Sequence, residues 1–553
     1  MAATATAATP TRPSSAVVAE ERARARRRAR RSAWNSALTI AAIVAVLLVV
    51  WQIAADLFLT RLGVAASPVA IAQSLANDAA LYANAALVTG WVAVRGWFWG
   101  NLIAIVVAVL FVQIPAIESL FLRLALVLFC LPLVAVNPIL QLTFEADTAR
   151  VVLAGLSVFF TTLVGTILGL RSADGGPLTM VFAWGGPSTS GLRYVRFPSA
   201  FPAIMTGFQV GAAAAVLGAI FGEFIGATRG IGVLLINGLM GLQLDRIWSI
   251  AVIATLMAAV PYVIFGLLRD RLAPWGSTIS TANPLGQKAP RMGAARIIVP
   301  LLWALASIAI VLVAWWSYLA VFDVSAFVGK GPLDVLAYLT SVPDAAANRA
   351  LITDALGVTL LHAGVGYVAG LTVGVTAAVL FVQFPVVERV MTPIAIAFRT
   401  VPIIVIIPIL ILSLGRGLGA VVAITAIVTF FPTLANTQTG LARVPADGFS
   451  VMRSYDASRW TTLWRLQLPY TLPAIFASAR IAVPSALLAA TLAEWLATGD
   501  GLGHYIVSSC AGSDYTGLWA GAVVLTIVSL ITYSIVSAVE RRVLAVYSPT
   551  HVS

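Results

Sequence analysis

The stretch "LFVQIP" occupies residues 110–115, and a nearly identical stretch, "LFVQFP", occupies residues 380–385. Five identical residues out of six could arise by chance in so apolar a chain, so the point to test is whether the similarity continues at the same offset. It does, with one single-residue shift, and the chain therefore contains two copies of one unit. The aligned stretches are "LPLVAVNPIL" (131–140) with "VPIIVIIPIL" (401–410), "FPSAFPAI" (197–204) with "LPYTLPAI" (468–475), and "GIG" (230–232) with "GLG" (501–503).

The composition places the chain in a membrane. Of its 553 residues, 60% are hydrophobic and only 10% are charged, whereas soluble chains carry about 25% charged residues. Long apolar runs reach the length of roughly 20 residues that a spanning helix needs. We predict an all-α, polytopic fold with about 12 transmembrane helices, arranged as two parallel six-helix repeats. The predicted spans are 36–57, 86–112, 117–142, 149–170, 200–226 and 247–268, then 296–320, 355–382, 387–413, 418–440, 471–497 and 518–540.

Charge patterning predicts the domain boundaries and the orientation. Residues 1–35 form a tail whose "ERARARRRARR" run precedes a spanning helix, so it is typical of a positive-inside anchor and not of a nucleic-acid-binding domain. We predict two transmembrane domains, at 36–275 and 296–547, joined by a polar cytoplasmic linker at 276–295. Most of the 34 basic residues fall on one side of this topology, which puts both termini and the loops 171–200 and 441–470 in the cytoplasm.

Catalytic and metal chemistry have little support in the sequence. The three histidines and two cysteines are scattered, so no metal site or disulfide framework is predicted. The chain has no G-x-x-x-x-G-K-[ST] phosphate-binding loop. We therefore expect no enzymatic activity and no cofactor in this chain.

The loop in the second copy reads "SVMRSYDASRWTTLWRLQLPYTLPAI" (450–475). A short helix here would carry Trp460, Leu463 and Trp464 on one face, at i, i+3 and i+4. Pro469 and Pro473 are then expected to break it before the next span. Such a helix fits either an amphipathic segment at the bilayer surface or a docking helix for a cytoplasmic partner.

This loop resembles the coupling segment of bacterial ABC importer permeases, which reads Glu-Ala-Ala, three residues, Gly, nine residues, Ile, any residue, Leu-Pro. Counting back from the proline, Asp456 takes the Gly place before Pro469, and Gly185 takes it before Pro198. The acidic residue of the pattern is absent from both copies. The stretches "FRTVPIIVIIPILILSLGRG" and "ARIAVPSALLAATLAEWLATGDGLG" further resemble the nitrate/sulfonate/taurine branch of these permeases. The chain thus looks like two permease units fused in one polypeptide, and the resemblance implies the fold of a type I ABC importer permease.

The resemblance implies a function and partners. It implies the transmembrane permease subunit of an ABC-type importer in a bacterial plasma membrane, for a small anionic or polar solute such as nitrate, a sulfonate or taurine. The partners implied are two ATP-hydrolysing subunits on the cytoplasmic side and an extracytoplasmic substrate-binding protein, besides membrane lipid. The alternative is a secondary active carrier, because such carriers also have six-plus-six parallel repeats.

Charged groups inside spans are candidates for the solute pathway. Arg399 and Arg480 lie inside predicted spans, and their repeat counterparts are Phe129 and Gln209. The two arginines could meet the solute, or they could pack the two halves together by pairing with carboxylates. Glu223 and Glu494, near the outer ends of the fifth and eleventh spans, complete the predicted pathway residues.

Overall fold

The computed structural model describes residues 42, 45–60, 65–114, 124, 126–127, 129–173, 175–275, 295–391 and 401–547, without the side chains of 59 and 295–304. The chain divides into two compact units, residues 1–73 and 74–553. Helix α1 (Ala45–Phe58) lies in the first unit, and α2 (Pro68–Asn77) runs across the boundary. The tail 1–35 and residues 276–294 of the predicted linker lie outside the described residues.

Every regular element in these described ranges is a helix. The order of helices repeats after an offset of 270 or 271 residues. The first copy continues with α3 (Ala79–Gln113), α4 (Leu133–Thr143), α5 (Ala146–Arg171), α6 (Gly175–Ala183), α7 (Ser188–Gly222), α8 (Ile231–Met240) and α9 (Leu244–Leu272). The second copy comprises α10 (Ala295–Val321), α11 (Pro332–Thr340), α12 (Ala345–Gln383), α13 (Ile403–Leu414), α14 (Leu418–Ala442), α15 (Ala446–Ser454), α16 (Arg459–Thr498), α17 (Gly501–Ala511) and α18 (Tyr515–Tyr547).

Eight of these helices are long and apolar enough to cross a membrane, four in each copy: α3, α5, α7 and α9, then α12, α14, α16 and α18. Each contains one predicted span or most of it and extends it by several residues. The prediction of an all-α, polytopic protein built from two repeats is confirmed.

The described parts of the predicted third spans contain a non-helical step in each copy. Residues 131–132 precede α4, residues 401–402 precede α13, and neither pair is helical. Pro132 and Pro402 account for these steps, because proline has no backbone N–H to donate and its ring clashes with the preceding turn. The remainder of the predicted spans 117–142 and 387–413 lies partly outside the described residues, so these two spans stay predictions.

Small residues allow the long helices of each copy to approach closely. In the second copy, Gly366, Gly370 and Gly374 of α12 face Thr425, Thr429 and Thr433 of α14, and a Cβ at any of the three glycines would collide with the facing helix. In the first copy, Gly96 and Gly100 of α3 face Ala154 and Gly155 of α5 in the same way. Small residues at four-residue spacing are the usual means of packing helices within a bilayer.

The short helices α4 and α13 connect the two copies. Helix α4 of the first copy packs against α16, α17 and α18 of the second, and α13 of the second copy packs against α7 and α9 of the first. Each of the two helices also packs against the next long helix of its own copy, α5 or α14. One hydrophobic core therefore contains residues from both copies.

Candidate functional site

The two loops that resemble coupling segments have the same backbone geometry. In the first copy α6 ends in a turn at Gly185, whose φ is +76°, and in the second copy α15 ends in a turn at Asp456, whose φ is +49°. The same two backbone bonds close the turns, from residues 185 and 186 to the carbonyls of 182 and 181, and from 456 and 457 to those of 453 and 452. A left-handed residue is needed at this place, and aspartate is among the few side chains that tolerate it. The alignment of Asp456 with the family's glycine is therefore explained by backbone geometry.

The helix after each turn runs directly into a long span, contrary to the expectation that proline would break it. In the second copy, a π-helical turn at Leu463–Gln467 places the N–H of Leu468 on the carbonyl of Leu463 just before Pro469. In the first copy, the turn Leu192–Arg196 does the same before Pro198. A wider turn is a known way to accommodate a disturbance of the helical ladder. Pro469 and Pro473 therefore lie inside the continuous helix α16.

The predicted apolar face of this segment is divided in two. Leu463 is 1% exposed and packs inward, whereas Trp460 and Trp464 are 52% and 67% exposed. The prediction that the three residues lie on one face was wrong, because Leu463 is buried while the two tryptophans are exposed. The two tryptophans remain as an outward-facing aromatic pair.

Sequence reasoning missed a second pair of exposed aromatics. Trp184 is 85% exposed and Tyr455 is 82% exposed, and each directly precedes the left-handed residue of its turn. They are repeat-related positions, one in each copy. An aromatic just before the Gly place in both copies is a signal that the sequence alone could have provided.

The carboxylates of Glu223 and Glu494 are buried and serve as caps for short helices. In the first copy, the Thr89 hydroxyl donates to Glu223 at 2.8 Å, and the N–H of Gly232 in α8 donates to the same carboxylate at 2.8 Å. Thr89 also accepts from the N–H of Ile231 at 2.9 Å. Each helix N-terminus has N–H groups without intrahelical partners, and this carboxylate–hydroxyl pair satisfies two of them.

The second copy repeats this arrangement and adds a histidine. Thr359 donates to Glu494 at 2.8 Å, Gly503 N–H donates at 3.0 Å, and Leu502 N–H donates to the Thr359 hydroxyl at 2.8 Å. His362 Nδ1 lies 3.0 Å from Glu494 Oε1. The position that corresponds to His362 is Val92, so this contact exists in one copy only.

The glycines of the "GIG" and "GLG" motifs follow from the same carboxylates. Gly230 and Gly501 have φ of +129° and +78°. A Cβ at either position would collide with the carboxylate of Glu223 or Glu494, respectively. In this structure, the two glutamates predicted as pathway residues therefore hold the turn that follows the fifth span of each copy.

Arg480 is paired with a carboxylate, as one of the two sequence hypotheses expects, but its partner Glu540 belongs to the same copy, so the pair does not join the two halves. The Arg480 Nη1 lies 2.9 Å from Glu540 Oε2 of α18, and its guanidinium lies 5.9 Å from the centre of the Tyr533 ring. The repeat-related positions are Gln209 and Arg269, and Arg269 donates to Gln209 at 3.1 Å. Both copies thus join the same two helix positions by a polar contact, with the cation on opposite helices.

Arg399, the other predicted cation, lies outside the described residues, and within those residues no cluster of three His, Cys, Asp or Glu side chains offers a metal site.

Comparison with known proteins agrees with the duplication. A family model described as "Binding-protein-dependent transport system inner membrane component" matches residues 100–276 and again 370–545.

Individual relatives each match a stretch of about the size of one copy. The formylaminopyrimidine transport permease protein ThiX of Halalkalibacterium halodurans is 28% identical over 197 residues, which cover 36% of this chain and 79% of the relative. The putative aliphatic sulfonates transport permease protein SsuC of Bacillus subtilis is 27% identical over 34% of this chain and 68% of its own length. The nitrate import permease protein NrtB of Leptolyngbya laminosa is 27% identical over 34% of this chain and 67% of its own length.

These relatives are transport permeases and not enzymes. The matched segments together include both loops, both capped glutamates and most of the long helices described above. The chain therefore belongs to the family of binding-protein-dependent transport system inner membrane components, of the ABC permease kind, and carries two of its units in one polypeptide.

Proposed function

We propose that the chain forms the translocation pathway of an ABC-type importer and couples it to two separate ATP-hydrolysing subunits. The observation that carries the proposal is the pair of matching loops, each of which presents an exposed aromatic beside a left-handed turn. Two similar docking elements suit two copies of a similar partner. Exposed aromatics that anchor in a partner's pocket are the usual centres of binding energy at protein interfaces.

The energy source of transport supports this assignment of partners. Uphill transport needs free energy, and the sequence has no phosphate-binding loop of its own. ATP is then hydrolysed by the partners, and the chain itself holds no cofactor. An extracytoplasmic substrate-binding protein would deliver the solute, in line with the family's description.

We further propose a bacterial plasma membrane location with both termini in the cytoplasm. The distribution of arginines supports this orientation, and it puts the aromatic loops on the side where ATP is available.

The solute in this proposal is small and either anionic or polar. The names of relatives include both kinds, a formylaminopyrimidine on one side and nitrate and sulfonates on the other. For an anion, Arg399 is the proposed contact, because Arg480 is held by Glu540. Arg399→Gln should then abolish uptake at a normal amount of permease. The pathway role predicted for Glu223 and Glu494 stays a prediction, since both carboxylates are committed to helix caps.

Affinity purification of the tagged chain from native membranes tests the function. Mass spectrometry of the eluate should find an ATPase with a phosphate-binding loop, at two per permease. The same purification is repeated with the double variant Trp184→Asp/Tyr455→Asp. Because both side chains are exposed, the double variant should reach the membrane in a normal amount but should no longer recover the ATPase. Gradient-driven uptake by a permease that retains no ATPase would contradict the proposal and favour a carrier.

A further inference from the structure

The two loops share one backbone geometry but differ in charge. We name the helix–turn–helix stretches at residues 175–192 and 446–463 the first tip and the second tip. Their helices and left-handed turns correspond position by position. The first tip contains no charged residue, whereas the second contains Asp447, Arg453, Asp456 and Arg459. A partner that docks on both loops therefore meets two chemically different surfaces.

Three of these four charges have a reason within the loop itself. Asp447 lies in the first turn of α15, where the helix dipole favours a negative charge. Arg453 lies in the last turn of the same helix, where the dipole favours a positive charge. Asp456 occupies the left-handed position of the turn, which few side chains other than glycine tolerate. The local fold thus accounts for these residues without any partner.

Arg459 is the exception, because it stands where the fold disfavours a cation. Ser458 caps α16 by accepting a hydrogen bond from the Thr461 N–H at 3.2 Å, so Arg459 is the first residue of that helix. The positive end of the helix dipole lies there. The Arg459 side chain is exposed, and it forms no ion pair or hydrogen bond within the part of the chain that the structure describes. Its counterpart in the first tip is the neutral Ser188.

The neighbours of Arg459 make its surroundings typical of an interface centre. Tyr455 precedes the turn and Trp460 follows Arg459 directly, and both rings are exposed. Tyrosine, tryptophan and arginine are the residue types that carry most of the binding energy at protein interfaces. The first tip lacks this combination: its large exposed side chains are all apolar or aromatic, namely Met180, Phe182 and Trp184.

The positive charge is also not the one that the coupling pattern would supply. That pattern begins with an acidic residue, whereas Thr179 and Ser450 stand at its place in the two copies. The second tip therefore presents an arginine to its partner, at a different position and with the opposite sign.

We propose that Arg459 binds a carboxylate in the docking pocket of the ATP-hydrolysing subunit on the second loop, and that the first tip docks by apolar contact alone. This inference rests on the proposed function and identifies the chemistry of the partner. A guanidinium fits a carboxylate with two parallel hydrogen bonds. The ion pair compensates for the unfavourable position of Arg459 on α16, and it makes the two docking sites differ in their dependence on salt.

The salt dependence of binding tests the proposal. The probe is the ATPase recovered with the tagged chain, and its dissociation constant for the purified permease is measured at about 50 mM and about 500 mM NaCl. Arg459→Ser reproduces the residue of the first tip. It should raise the dissociation constant about fivefold at low salt, the equivalent of one exposed ion pair, and the difference from the parent should fall below about twofold at high salt.

Matched variants separate this ion pair from other effects. Arg459→Lys keeps the charge and should keep the salt dependence. Arg542→Gln removes one exposed charge outside the loops and should bind as the parent does. In the first tip, Phe182→Ser should weaken binding equally at both salt concentrations, because the exposed ring carries no charge. Thermal unfolding should show Arg459→Ser to be at least as stable as the parent, since a cation has been removed from a helix N-terminus.

Unchanged affinity in Arg459→Ser would overturn the proposal and leave the arginine to solvent or to lipid headgroups. The same loss in Arg542→Gln would also overturn it, because the effect would then belong to the net charge. A loss of stability in Arg459→Ser that parallels its loss of affinity would count against it as well. If no ATPase is recovered with the parent, the importer assignment fails together with this inference, whereas recovery without salt dependence defeats this inference alone.

Discussion

Arg480 and Glu540 form an ion pair within the second copy, with 2.9 Å between Nη1 and Oε2 and with both side chains largely removed from solvent. The same two positions in the first copy are Gln209 and Arg269. Both copies therefore keep a polar contact at these two positions, but the residues that make it, and their charges, differ between the copies.

The first prediction concerns this pair. Arg480→Gln should destabilise the permease by about 3–5 kcal/mol, because it leaves a buried carboxylate without its partner. Adding Glu540→Arg recreates the glutamine–arginine pair of the first copy and should recover most of the loss. Thermal unfolding of the purified permease measures both effects.

Arg541→Gln is the control for that experiment, since this neighbour is exposed and its loss should change stability by less than about 0.5 kcal/mol. An Arg480→Gln variant as stable as the parent would show that the pair contributes nothing and would leave Arg480 free for a solute.

The second prediction separates two glycines of one turn. Gly499 and Gly501 both have positive φ, of +72° and +78°, so alanine at either position incurs a strain of about 1–2 kcal/mol. Only at Gly501 would the added Cβ also collide with Glu494, whereas nothing lies near it at Gly499. Gly501→Ala should therefore lower the unfolding temperature clearly more than Gly499→Ala. Equal shifts in the two variants would mean that the Glu494 cap tolerates displacement.

The third prediction distinguishes docking from packing in the second loop. Trp464→Asp should abolish recovery of the ATPase while the permease stays at a normal level, because the ring faces outward. Leu463→Asp should instead lower the amount of permease, because that side chain is buried. Immunoblots of membranes and eluates measure both quantities. If Trp464→Asp retains full ATPase recovery, the tryptophan faces lipid and not a partner.

The fourth prediction tests orientation. Single cysteines are introduced into a cysteine-free background at one of three positions, Ser188, Tyr455 or Leu333. All three positions are exposed. An impermeant maleimide added to intact cells should label only Leu333→Cys, which lies on the predicted outer side, and should label all three after the cells are opened. Labelling of Ser188→Cys or Tyr455→Cys in intact cells would reverse the topology.

The sequence was sufficient for the order of the helices and for the alignment of the two loops. Hydropathy and the 270-residue offset determine both features, because an assignment made in one copy can be checked at the equivalent residues of the other. Counting back from Pro469 was enough to place Asp456 at the glycine position of the family pattern. The proline at 132 was equally visible, yet the surrounding apolar run hid the interruption it causes.

Contacts between distant helices could not be predicted in the same way. Glu540 lies 60 residues from Arg480, and hydropathy does not specify which face of one spanning helix meets which face of another. The contacts of α4 with α16, α17 and α18 of the other copy belong to the same class, because a pattern of apolar residues does not specify them.

The packing of α4 and α13 against the opposite copy also has a genetic consequence. In an importer assembled from two identical chains, every codon change alters both sides of the passage at once, so a useful substitution on one side must be tolerated on the other. A fused gene removes that constraint, and the Arg480–Glu540 pair of one copy can coexist with the Gln209–Arg269 pair of the other. Saturation mutagenesis should accordingly find that repeat-related codons of this gene tolerate different sets of amino acids, most of all where α4 and α13 meet the opposite copy.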